Sequence, residues 1–220
     1  TLRVDNMGGV GVINAGGTMV ADVGSTILLN GATISGGALN GGGGFRAVAS
    51  GAYFLDNVTL NGTLDLASAF GIERVTGGMA LNGTVNIGNA SILAPQGNQT
   101  ISGTGSIVFA DGNGSNRLNL EAGNLTLGSG VTVRGNTGVI GQQNYVGGAA
   151  TLTNQGSIVS DGGGTITVNP SGALTNDGLF RAQNGTLVVQ RNVGGTGTLQ
   201  VDGAGAMTLA NGGNSQGALR

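Results

Sequence analysis

"VTLNGTLDLASAF" runs from Val58 to Phe70, and "MALNGTVNIGNAS" from Met79 to Ser91, 21 residues further on. Both carry Leu-Asn-Gly-Thr followed by an apolar-x-apolar triplet. Leu-Asn-Gly recurs at 29–31, 39–41, 60–62 and 81–83, and Leu-Thr-Asn at 152–154 and 174–176. The unit behind both is Gly, then Thr or Ser, then apolar-x-apolar. It reads GTLDL (62–66), GTVNI (83–87), GSIVF (105–109), GTITV (164–168), GTLVV (185–189) and GTLQV (197–201).

Apolar-x-apolar is a period of two, which places two side chains inward and one outward on a β-strand. The segments are too short for helices, and the Gly and Asn between them leave no helical stretch. A fixed period of 20–22 residues marks a solenoid, in which one unit cannot bury its own apolar side chains but can do so against a stacked copy. The sequence therefore predicts an all-β chain of about ten coils, residues 1–220 forming a single solenoid domain on the order of 50 Å long at the strand spacing of roughly 4.8 Å. Like falls on like: Leu60 against Leu81, Leu64 against Val85. The expected inward set is Leu64, Leu66, Val85, Ile87, Ile107, Phe109, Ile166, Val168, Leu187, Val189, Leu199 and Val201.

Aligning 152–168, 174–189 and 195–209 gives two short strands around a tight turn in each repeat. On that alignment Asp65, Asn86, Val108, Thr167, Val188 and Gln200 share one outward column, and Asp161, Gln183 and Asp202 one turn column. Asn61 and Asn82 fall in turns, where Asn and Gly tolerate positive φ. Pro95 and Pro170 are placed at turns, and 88–104 and 134–150 break the period with longer connections.

Composition narrows the function classes. Of 220 residues 48 are Gly, only 8% are charged, and there is no His and no Cys. All eight basic residues are Arg. Thiol chemistry, Schiff bases and His-based acid–base or metal chemistry are excluded. The formal net charge of -2 without a basic patch argues against nucleic-acid binding. No apolar run is long enough for a membrane helix, and five Phe and two Tyr cannot furnish the girdles of a membrane barrel. The expectation is no membrane insertion, no cofactor, no metal and no enzyme.

The stretch GTGSIVFADGNGSNRLNLEAGNLTLGSGVTVRGNTGVIG (103–141), with the two Leu-Thr-Asn repeats after it, resembles the repeat regions of filamentous-haemagglutinin-like exoproteins and autotransporter passenger domains. The resemblance covers most of the chain. It implies a right-handed parallel β-helix, export to the extracellular space or cell surface of a bacterium, and a role as stalk, adhesin or matrix fibre. Candidate partners are host-surface or matrix glycans.

Candidate sites follow from chemistry. Asp161 and Asp202, two coils apart with an amide between them, read as turn residues and not as a catalytic pair. Asp111, Asn113 and Ser115 alternate like a calcium loop but lack the Gly and Glu spacing of one. Thr-x-Thr at 151–153, 165–167 and 196–198 does not recur at one fixed place. The eight Arg are scattered singly. Tyr53, Phe54 and Tyr145 are the aromatics that could stack on a glycan in a polysaccharide-binding or polysaccharide-cleaving alternative. Neither end reads as a polar cap. Leu2, Val4 and Leu219 are therefore candidates for end-to-end contact, either with more of the same chain or with another copy stacked head to tail.

Overall fold

A computed structural model describes residues 1–5, 11–48, 52–67, 70–141 and 145–220, without the side chains of Ala52 and Tyr53. The chain winds into a β-solenoid of about ten turns whose strand pairings are all parallel, and no helix occurs among the described residues. Most coils contribute three short strands rather than the two expected. One coil runs Ser157–Ser160, Thr165–Val168, Leu174–Asn176 before the next begins at Leu179–Ala182. The first strand of every coil joins an eleven-stranded sheet, the first face. The other two strands build a second and a third face, which Ala52–Leu60 and Ile72–Leu81 join by turning the corner between them.

Period-two patterning decides what lies inside. On the first face one inward column runs Leu2, Ile27, Phe45, Leu64, Val85, Ile107, Val133, Ile158, Phe180, Leu199 and Leu219 in consecutive register. On the second face Glu73, Leu93, Leu118, Ile140, Val168, Val189 and Leu209 form another. Eleven of the twelve expected inward residues are buried. The exception, Val201, is 44% exposed because it lies in the last complete coil. Leu60 pairs with Leu81 and Leu64 with Val85, as expected.

The alignment of the repeats needs correcting. GTLDL, GTVNI, GSIVF and GTLQV lie on the first face, but GTITV and GTLVV lie on the second. The outward column of the first face is therefore Arg3, Leu28, Arg46, Asp65, Asn86, Val108, Arg134, Val159, Arg181 and Gln200. Four of the eight Arg share this column, so they are not scattered. The three Thr-x-Thr segments fall on three different faces, yet Thr100, Thr126, Thr153 and Thr175 do form one column on the third. Pro95 is a buried strand residue, not a turn residue, and 88–104 holds two regular strands.

Asn61 and Asn82 sit at a corner, as expected, but with ordinary φ. Their role is a side-chain ladder. The Asn61 amide donates to Asn40 Oδ1 at 2.6 Å and the Asn82 amide to Asn61 Oδ1 at 2.8 Å. The glycine that follows is required by close approach, since a Cβ on Gly83 would run into the Gly62 carbonyl of the coil below. A second ladder is buried: Asn154 Nδ2 donates to Asn176 Oδ1, and Asn176 Nδ2 to Gln216 Oε1, each at 2.7 Å. Stacking identical residues lets one amide serve as the next one's partner, so most of the ladder's polar atoms keep a hydrogen bond on burial; Asn154 Oδ1, at its start, has none.

Candidate functional site

Two kinds of place could carry function: the ends of the stack and one lateral cluster. The outermost strands of the first face, Leu2–Asp5 and Ala218–Leu219, have a sheet neighbour on one side only. Leu2 is 58% and Leu219 76% exposed, while Val4 packs partly against the core. Near Leu219 a hollow of about 450 Å³ is lined by Leu199, Leu209 and Leu219 with Asn214, Ser215 and Gln216. These are interior side chains without a further coil against them.

The lateral cluster lies on the second face. Alternation along Ile72–Leu81 turns Arg74 outward, in register with Phe54 below and Ala94 above. The Arg74 guanidinium carbon lies 5.3 Å from the centre of the Phe54 ring and 4.8 Å from that of Tyr145. Both distances are within cation–π range. Tyr145 arrives on the connection between Gly138–Ile140 and Ala150–Asn154. Glu121, fully buried, holds that connection: its Oε2 accepts the backbone N–H of Tyr145 at 3.0 Å and of Val146 at 2.7 Å, and its Oε1 accepts the Asn119 amide at 3.1 Å. Burial raises the pKa of the Tyr145 hydroxyl, with Arg74 and Arg117 opposing and Glu121 reinforcing it. Of the three aromatic candidates, the structure thus joins Phe54 and Tyr145 through an arginine that sequence reasoning did not single out. The Tyr53 side chain lies outside the described residues.

Glu73 was also missed. It points inward, is fully buried, and neither carboxylate oxygen has a hydrogen-bond partner. Burial pushes its pKa well above the usual carboxylate range. In Ile-Glu-Arg-Val a period of two allows either Glu73 or Arg74 to face inward, so the pattern there carries no signal.

The carboxylates singled out from the sequence are engaged elsewhere. Asp161 and Asp202 do share the turn position after first-face strands, and each binds an arginine of the coil below: Arg134 with Asp161 and Arg181 with Asp202, both at 2.5 Å. Hydrogen bonds from Gln200 and then Arg181 hold the Asp202 pKa below its ordinary value. Asp111 accepts from Asn113 N, Asn116 Nδ2 and Asn89 N. Burial pushes its pKa up, but the Asn116, Asn113 and Asn89 donors outweigh that and leave it lowered. Among the described residues no group of three or more acidic side chains is placed to hold a metal. Comparison with protein-family models, curated proteins and solved structures finds no match to this chain.

Proposed function

We propose that the chain is a structural rod: a β-solenoid module of an extracellular bacterial fibre, adhesin stalk or biofilm-matrix filament, extended end to end by further coils of its own chain or by a second copy. The observation that carries this reading is the first-face inward column, continuous from Leu2 to Leu219, with one unpaired edge at each end. Unpaired N–H and C=O groups on a parallel edge template another strand, and the exposed Leu2 and Leu219 would be buried by it. A net charge of -2 sets little long-range repulsion against such contact. The resemblance of 103–141 to exported repeat proteins supports the extracellular setting. The role involves burial and hydrogen bonding and no catalytic step, cofactor, nucleic acid or membrane insertion.

Electron microscopy of the purified chain tests the self-stacking form. The expected result is rods joined along their long axis, with a Lys-Pro-Glu insertion after Arg3 giving separate rods of unchanged circular dichroism. Strictly single rods at high protein concentration would contradict self-stacking.

A further inference from the structure

We propose that Arg74, clamped between Phe54 and Tyr145, is the receptor for a carboxylate-bearing sugar, a uronate residue of an acidic glycan. A guanidinium packed over two aromatic rings can still present its in-plane terminal N–H groups as a donor fork. That fork matches the two oxygens of a carboxylate. Among the described residues, ion pairs form at Arg3, Arg134 and Arg181, and none at Arg74. Its Nε is buried, which leaves the two terminal nitrogens as the donors open to a ligand. Glu73, its neighbour in sequence, is turned into the core by strand alternation and supplies no counter-charge to the outer face.

Tyr145 is 39% exposed beside the guanidinium, so a pyranose could set its C–H face near the ring while its carboxylate meets the fork. A sugar acid carries both features on one rigid frame, which a plain carboxylate or a flexible acidic peptide does not. The Glu121 carboxylate, by holding Tyr145 and Val146 through their backbone N–H groups, is the positioning residue of the clamp.

The test titrates the full chain with α-1,4-linked trigalacturonate, its methyl ester, sodium acetate and triglutamate, read by calorimetry and by shifts of a labelled tyrosine ring. The acid trimer is expected to saturate with a Kd on the order of 1 mM, with the ester at least about tenfold weaker because the fork loses its anion. Arg74→Gln and Arg74→Lys should both lose about tenfold, the lysine because an ammonium has no fork. Tyr145→Ala should weaken binding and Arg134→Gln, on another face, should leave it unchanged. Equal binding of acid and ester would overturn the proposal, and that comparison needs no variant. Equal displacement by acetate or triglutamate would overturn the sugar assignment. Equal loss in Arg134→Gln would leave only general charge attraction and overturn the site. None of these outcomes bears on the structural-rod reading, which rests on the ends of the stack.

Discussion

The coils from Ala150 to Leu209 and those from Ile72 to Glu121 are built on the same cross-section but handle polar groups differently. In the later coils Asn154 and Asn176 are buried inside the column that holds Met79, Ile101 and Leu127 earlier, and stacking pairs Asn154 Nδ2 with Asn176 Oδ1, leaving only Asn154 Oδ1 without a partner. Among the described residues, five of the six buried, unpartnered polar side-chain atoms occur in the earlier coils: both oxygens of Glu73, Arg74 Nε, Gln96 Nε2 and Asn119 Oδ1. Repetition is thus the device that makes polar burial tolerable, because each residue brings its own partner one coil later. Where Glu73 stands alone among Leu93, Leu118 and Ile140, no such partner exists. Natural chains retain such locally unfavourable groups most readily at functional sites, and the Arg74 clamp lies in the same coils.

The contrast can be broken at the repetitive end. Ile166→Asp places a lone charge in a fully buried position of the second face and should cost about 4 kcal/mol or more. Chemical denaturation measures it, and an unchanged midpoint would mean that the stacking register is wrong.

At the irregular end Glu73→Leu should do the opposite and stabilise the fold by about 2 kcal/mol near neutral pH, because it removes an unpaired buried carboxyl. The sign follows from linkage. The folded pKa of Glu73 is raised, so the folded state binds the proton more tightly than the unfolded one. Stability from this group is fully present below the ordinary glutamate pKa and is lost as pH rises through the folded value. The slope is about 1.4 kcal/mol per pH unit in that window. Denaturation midpoints of the wild type should fall with rising pH there relative to Glu73→Leu, and parallel curves would contradict the assignment.

A smaller effect sharpens the ladder half of the comparison. Asn176→Ala removes the partner of both Asn154 and Gln216 and should cost about 1–2 kcal/mol. The exposed ladder variant Asn61→Ala should cost under about 1 kcal/mol. Equal losses in thermal melts would show that burial does not matter to the ladders. The smallest change is expected for Arg134→Gln, whose own side chain is half-exposed, at about 0.5 kcal/mol and decreasing with added salt.

The inside of the rod was legible because its rule is local: apolar-x-apolar after Gly-Thr needs only neighbours to be read. Which face a strand joins is not local. GTLVV and GTLQV have the same pattern, and only the length of the intervening turns sends one to the second face and the other to the first. That error mixed Thr167 and Val188 into the first-face column and hid the Arg column. The clamp was half legible. Phe54 and Tyr145 stood out as rare aromatics, but Arg74 joins them across separate coils, and no periodicity reports a contact made by a long connection folding back over a face. Leu2 and Leu219 were recognisable as interior residues at the outermost strands by the same period-two rule that placed Leu64.

The central claim, a parallel stack in fixed register, is tested most directly by distances along one outward column. The chain has no Cys, so paired cysteines can carry nitroxide labels without background. Arg46, Asp65, Asn86, Val108, Arg134, Val159, Arg181 and Gln200 follow one another coil by coil. Pulsed electron resonance on Arg46→Cys combined in turn with Arg134→Cys, Arg181→Cys and Gln200→Cys should give separations of about 19, 29 and 34 Å, growing by roughly 4.8 Å per coil. Separations that fail to grow with coil number, or that shorten between the second and third pairs, would contradict the solenoid.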